Sequence, residues 1–134
     1  MTILDASAIL ALIKKEKGWE NVEKLLSECE KNKTSAFIHA LNFIEFTYKS
    51  IQLYGQKMAN RIIADMNSPF LGIVNYMDTD LNLYAAHLKS SYHLSLGDAV
   101  GLAHTKIMKG TFWTADIALK DIAKKEEISI KFIR

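Results

Sequence analysis

The chain has 134 residues, 49% of them apolar and 24% charged, which suits one globular domain spanning residues 1–134 with a core that folds unaided. A lone Cys29 excludes a disulfide framework and a cysteine zinc site, and an opening apolar run with no basic region before it, interrupted by Asp5, fits neither a signal peptide nor a membrane span. The chain therefore reads as intracellular and cytoplasmic, and its formal net charge of +2 is too small to point to nucleic acid by itself.

Residues 2–5 are too few for a helix and read as a central strand that ends in an acid. Residues 6–14 read as a helix. Residues 19–30 read as a second, with Trp19, Val22, Leu25, Leu26 and Cys29 at helical spacing and charges on the other face. Residues 34–38 form the next strand candidate, and 39–53 a long helix with Leu41, Ile44, Tyr48 and Ile51 in one stripe. Gly55 breaks that helix; residues 56–66 continue as another, ended by Asn67, Ser68 and Pro69, because proline pushes the preceding residue out of helical geometry.

Residues 70–75 read as the third strand, 80–90 as a helix, and 96–109 as a helix whose Gly97, Ala99, Gly101 and Ala103 permit close packing. Gly110 closes it, followed by a strand at 111–113, a helix at 116–125 and an edge strand at 129–133. This alternation predicts an α/β fold, a three-layer α/β/α sandwich around a mainly parallel sheet of about five strands. Such sheets place their sites at the carboxyl ends of the strands.

Four acids stand out. Asp5, Asp98 and Asp116 sit where strands hand over to helices or within the first helical turn, and each has a plain explanation as a helix cap. Ser95 with Asp98 reads as a capping box, and Thr114 with Asp116 could play the same roles. Glu45 is different: it lies inside a helix among Phe43, Ile44 and Phe46, and an unpaired carboxylate buried there would be costly. Asn42, one turn earlier, either orients Glu45 or is a surface amide.

Taken jointly, the four acids are either several caps or one metal site. Anions gathered at one sheet edge repel by about 4 kcal/mol per close pair at an effective dielectric near 20, and a divalent cation offsets that. Mg²⁺ takes oxygen ligands and keeps several waters, so two or three carboxylates suffice, and Mn²⁺ fits the same donors. With those four set aside, 17 basic residues face 11 acidic ones, a surface that leans towards a polyanion.

The segments Leu-Asp-Ala-Ser-Ala at 4–8, Asn-Phe-Ile-Glu at 42–45, Leu-Ser-Leu-Gly-Asp-Ala at 94–99 and Thr-Ala-Asp at 114–116 together resemble a PIN domain. The compact size is similar to the VapC-type toxins within that family. The resemblance implies a Mg²⁺- or Mn²⁺-dependent endoribonuclease with Asp5, Glu45, Asp98 and Asp116 as the acidic quartet, and Ser7 and Thr114 as accessory hydroxyls. Asp5, Asp98 and Asp116 would then hold metal, and Glu45 would position the attacking water or complete the shell. It further implies an RNA substrate, a small antitoxin as partner and a homodimer. Gly97 departs from the pattern, which more often has alanine or a polar residue there.

Other chemistries find less support. His39, His87, His93 and His104 lack metal-ligand spacing and read as surface or satisfied core groups. A receiver domain would want an acidic pair after the first strand, where Asp5 has only Ala6. A catalytically silent RNA- or protein-binding module would not need all four acids. Lys14, Lys15 and Lys120 are candidates for RNA backbone contact, and Phe43, Phe46, Tyr54 and Phe70 for an interface or, more simply, for the core.

Overall fold

A computed structural model describes residues 1–134. In chain order the elements are β1 (Thr2–Leu4), α1 (Ala6–Lys14), α2 (Trp19–Asn32), β2 (Ala36–His39), α3 (Ala40–Tyr54), α4 (Gln56–Met66) and β3 (Leu71–Val74). These lead on to α5 (Thr79–Ser91), α6 (Leu96–Met108), β4 (Thr111–Thr114), a 3-10 turn (Ile117–Leu119), α7 (Lys120–Lys125) and β5 (Ile130–Phe132). The sheet order is β3-β2-β1-β4-β5 and every neighbouring pair is parallel, so the expected mainly parallel sheet is wholly so.

Alternation along the strands divides the core in two. Ile3 and Phe112, paired across β1 and β4, pack with Leu81, Leu88, Val100 and Leu102 of α5 and α6 on one face. Leu4 and Ile38 pack with Ile9, Val22 and Phe46 of α1, α2 and α3 on the other. Phe46 and Phe112 are fully buried, each contributing about 1.5–3 kcal/mol from area removed from water. The chain steps from β1 to β2 to β3 in one direction and then returns to the far side of β1 for β4. Strand order therefore reverses at the β1/β4 boundary, and in open parallel sheets a crevice forms at the carboxyl ends there.

Three expectations need correction. The stripe Leu41, Ile44, Tyr48, Ile51 does not face the core: Ile44 is 58% and Tyr48 45% exposed, while Asn42, Phe46 and Ser50 are the buried residues of α3. That helix is held by α1, α4 and α6 as well as the sheet, so apolar spacing alone does not choose its inward face. The turn after α6 is carried by Lys109, which takes the left-handed conformation at φ 52°; Gly110 is small because a Cβ there would lie 2.7 Å from the Met1 carbonyl oxygen. The predicted helix at 116–125 is split into the 3-10 turn and α7.

Nor are the histidines uniformly satisfied. His39 is buried, accepts from the Leu41 N–H at Nδ1 (3.2 Å) and donates from Nε2 to the Tyr76 carbonyl (3.0 Å), which fixes its neutral tautomer. His104 is fully buried with neither ring nitrogen partnered, edge-on to His39 and Tyr76 at centroid distances of 5.7 and 5.6 Å. Burial first, and then His39 beside it, pull its pKa below 6.5, so its neutral form costs no charge burial until pH falls below that value, when stability is lost.

One polar cluster ties α5 and α6 to the turn before β5. The Glu126 carboxylate accepts from the Tyr84 (2.7 Å) and Tyr92 (2.8 Å) hydroxyls and meets His87 Nε2 at 3.0 Å, while Lys106 donates to the Glu126 carbonyl at 2.8 Å. The Tyr84 bond, ahead of those from Tyr92 and His87, holds the Glu126 pKa below 4.5. Its contribution is present above 4.5 and is lost as pH falls through the lowered folded value. Glu126→Ala should therefore reduce stability by about 1–3 kcal/mol at neutral pH, with a gap from the parent that narrows in strong acid; parallel thermal melts at neutral and acid pH measure both.

Candidate active site at the carboxyl edge of the sheet

Asp5 follows β1 directly and is 4% exposed. It stands at the N-cap of α1, yet its side chain makes no capping bond. Instead Oδ2 accepts from the hydroxyls of Ser7 and Thr114, the latter at 2.8 Å. Each hydroxyl accepts a backbone N–H in turn: Ala115 to Ser7 at 3.0 Å, Asp116 to Thr114 at 3.0 Å. Because both hydroxyl protons are spent on Asp5, the 3.1 Å approach of Ser7 Oγ to Thr114 Oγ1 is a consequence of their shared acceptor. The ends of β1 and β4 are thus joined through one carboxylate.

Burial raises the Asp5 pKa, opposed by its two hydroxyl donors and reinforced by the negative charge of Glu45. Asp98, half-buried in the first turn of α6, is pushed up to about 6, first by burial and then by Asp5, with Glu45 and Asp116 adding to the rise. Asp98 therefore lies near enough to feel the other three acids, and Asp5 near enough to feel Glu45, although the four arrive from the ends of two strands and from two helices. As placed, no three His, Cys, Asp or Glu side chains stand close enough to grip one ion.

The cap readings hold in part alongside this convergence. Ser95 Oγ accepts the Asp98 N–H at 3.1 Å and donates to Asp98 Oδ2 at 2.8 Å, a half-formed capping box whose acid is turned onto the serine hydroxyl. Asp116, exposed, accepts the Ala118 N–H at 2.9 Å and so caps the 3-10 turn. Glu45 is half-buried and accepts from Lys49 Nζ at 2.6 Å, one helical turn on. That bond heads the causes raising the Lys49 pKa. Lys49 was missed in the sequence, where a Glu followed by Lys at i+4 was the available signal.

Asn42 is wholly buried with both amide atoms unpartnered. A Cβ on Gly97 would lie 3.0 Å from Asn42 Oδ1 and 3.3 Å from Glu45 Oε2, and one on Gly101 would lie 2.9 Å from Asn42 Nδ2. α6 thus comes down on α3 through two glycines with the amide between them. The donor set fits a hard divalent cation: one oxygen each of Glu45, Asp98 and Asp116 accepts no hydrogen bond, the amide oxygen of Asn42 is orphaned beside Glu45, and every available donor is oxygen.

A PIN domain family model matches residues 2–125. The chain belongs to the PIN domain family. No curated protein matches it in sequence. Among solved structures, this PIN domain is similar to a chain of the VapBC2 complex of Rickettsia felis bound to a promoter DNA fragment, with TM-score 0.73, 15% identity, and 98% of this chain and 97% of that one covered. A chain of the DNA-bound VapBC of Salmonella typhimurium gives TM-score 0.73 at 14% identity over 99% and 98% of the two chains. VapC20 of Mycobacterium tuberculosis, described as a sarcin-ricin loop cleaving toxin, gives TM-score 0.70 at 15% identity over 91% and 95%. These likenesses establish the expected three-layer fold over nearly the full length.

Within this PIN domain the departure at Gly97 has a physical reason, since Asn42 and Glu45 occupy the space an alanine methyl would need. Gly97→Ala should be less favourable to stability with Asn42 present than in an Asn42→Ser background, a coupling of about 1 kcal/mol in a denaturation double-mutant cycle. Additive effects would refute the contact. In the metal-free chain, the Asp98 carboxyl resonance should titrate with a midpoint of about 6. Asp5→Asn should move that midpoint down, because it removes a neighbouring negative charge; an unmoved midpoint would mean the two acids are not coupled.

Proposed function

We propose that this PIN domain is a Mg²⁺- or Mn²⁺-dependent endoribonuclease and the toxin of a prokaryotic toxin–antitoxin pair. The observation that carries the reading is the gathering of Asp98 with Asp5, Glu45 and Asp116 at one sheet edge, where burial first and then the charge of Asp5 push the Asp98 pKa up to about 6. A carboxyl perturbed by burial together with specific charged neighbours is characteristic of functional sites. Family membership and the likeness to toxin–antitoxin complexes supply further support.

When bound, a divalent ion would polarise the scissile phosphate and lower the pKa of the attacking water. Asp5, Asp98 and Asp116 hold the ion in this reading, and Glu45 either completes the shell or orients the water. Ser7 and Thr114 fix the rotamer of Asp5 and keep one of its oxygens engaged. Asn42 sets the height of α3 against α6, and with it the position of Glu45. Lys49 balances Glu45 and lies at the edge of the site, where a phosphate oxygen can compete for its ammonium. The cognate partner is a small antitoxin, and the working unit is a homodimer. No helix is long and apolar enough to cross a membrane; the RNA substrate of this reading is cytoplasmic.

Incubation of the purified protein with total cellular RNA tests the proposal. Cleavage should require Mg²⁺ or Mn²⁺, stop with a chelator and fall at least about 100-fold in Asp5→Asn, as expected on losing a metal-holding group. Because burial already penalises the Asp5 charge, that variant should melt no lower than its parent at neutral pH. Cleavage indifferent to chelation would exclude the metal mechanism, and a grossly unfolded Asp5→Asn would return Asp5 to a purely structural role.

A further inference from the structure

Beside the acids runs a groove of about 380 Å³, lined by Ser7, Lys14, Glu16, Lys49, Ala115 and Arg134 among others. Ser7 and Ala115 are common to groove and site, since Ser7 donates to Asp5 and accepts from the Ala115 N–H. The groove therefore borders the acidic edge through Ser7 and Ala115. Three cations enter it from separate parts of the fold: Lys14 from the end of α1, Lys49 from α3, and Arg134 beyond β5.

Only Lys49 is committed to the site, through Glu45. Lys14 and Arg134 share the single carboxylate of Glu16, with Lys14 Nζ on Oε1 and Arg134 Nη1 3.9 Å from Oε2. Two side-chain cations thus stand about one side-chain carboxylate. A phosphodiester presents the same charge as a carboxylate and a similar pair of acceptor oxygens. All three side chains are partly exposed, and ion pairs in that setting are weak enough to be exchanged without disturbing the fold.

We infer that Glu16 is an intramolecular stand-in for a substrate phosphate: an RNA strand entering the site lays a backbone phosphate neighbouring the scissile one between Lys14 and Arg134, displacing the Glu16 carboxylate. The inference rests on the ribonuclease reading and adds the path of the strand, along the Ser7 and Ala115 side. It also makes Glu16 a residue that weakens RNA binding, a sign opposite to that expected of a merely structural ion pair.

The test is fluorescence anisotropy of a short, mixed-sequence, single-stranded RNA with a terminal fluorophore, bound by the full chain carrying Asp98→Asn so that it is not cut. Added Glu16→Gln should tighten Kd by roughly three- to tenfold at low salt, and Glu16→Ala should do the same, so that a folding defect in one variant leaves the other to decide. Lys14→Gln and Arg134→Gln should each weaken Kd and reduce the slope of log affinity against log salt by about 0.7, the value for one phosphate contact on a single strand. Lys57→Gln, the same charge loss on α4, should change both far less. The inference is overturned if neither Glu16 variant binds more tightly, if Lys14→Gln and Arg134→Gln match Lys57→Gln, or if no variant binds RNA. Metal-dependent cleavage by the parent, assayed in parallel, separates the two levels. Cleavage without groove effects defeats this inference alone, and groove effects without cleavage defeat the nuclease reading while keeping the RNA path.

Discussion

The geometry of the candidate site depends on burying an aspartate at the carboxyl end of the central strand. Moving Asp5 out of water disfavours its charge, and two hydroxyl donors oppose that penalty. Those donors, Ser7 and Thr114, are themselves anchored by backbone N–H groups, so the carboxylate is held by a closed set of bonds running from β1 through α1 to the end of β4. Strand order reverses at this place, and the same bonds that stabilise the switch point fix the acid within it.

A second constraint sets where the helix-borne acids stand. α6 must approach α3 closely enough for Asp98 to feel Glu45, and small residues at 97 and 101 allow it. The amide of Asn42 fills the gap at the expense of its own hydrogen bonds, a cost of the order of 1–3 kcal/mol for unsatisfied buried polar atoms. His104, on α6 itself, is likewise buried without partners. α6 thus gathers polar groups that only close packing retains, while the Glu126 cluster secures the sequence-distant turn against α5 and α6. Stability in this molecule comes from two apolar layers; the acidic edge spends part of it.

Charge is distributed to match. The acids are concentrated at the β1/β4 edge, with Lys49 bound to Glu45 and the Lys14, Glu16, Arg134 group on the neighbouring wall. Positive charge next to a negative pocket is the arrangement expected of a site that takes a polyanion together with a cation: neither partner is well held without the other. The modest overall charge conceals this, since it averages two opposed regions.

Much was legible before the fold was known. Strand and helix alternation, all five strands, and most helix boundaries to within two residues follow from apolar period and from Gly and Pro positions, because these are local properties of the chain. Asp5, Glu45, Asp98 and Asp116 could be picked out from their positions against those elements, and Ser7 and Thr114 from the resemblance to PIN domains. The inward face of α3 could not, because three other helices compete for it and only packing decides that Asn42, Phe46 and Ser50 turn in. Likewise no spacing reveals that Lys14 and Arg134, 120 residues apart, share Glu16. The sequence by itself determined which residues carry charge and which segments form strands; tertiary structure alone decided which strands pair and which charges meet, since electrostatic repulsion and burial act through space and are blind to chain order.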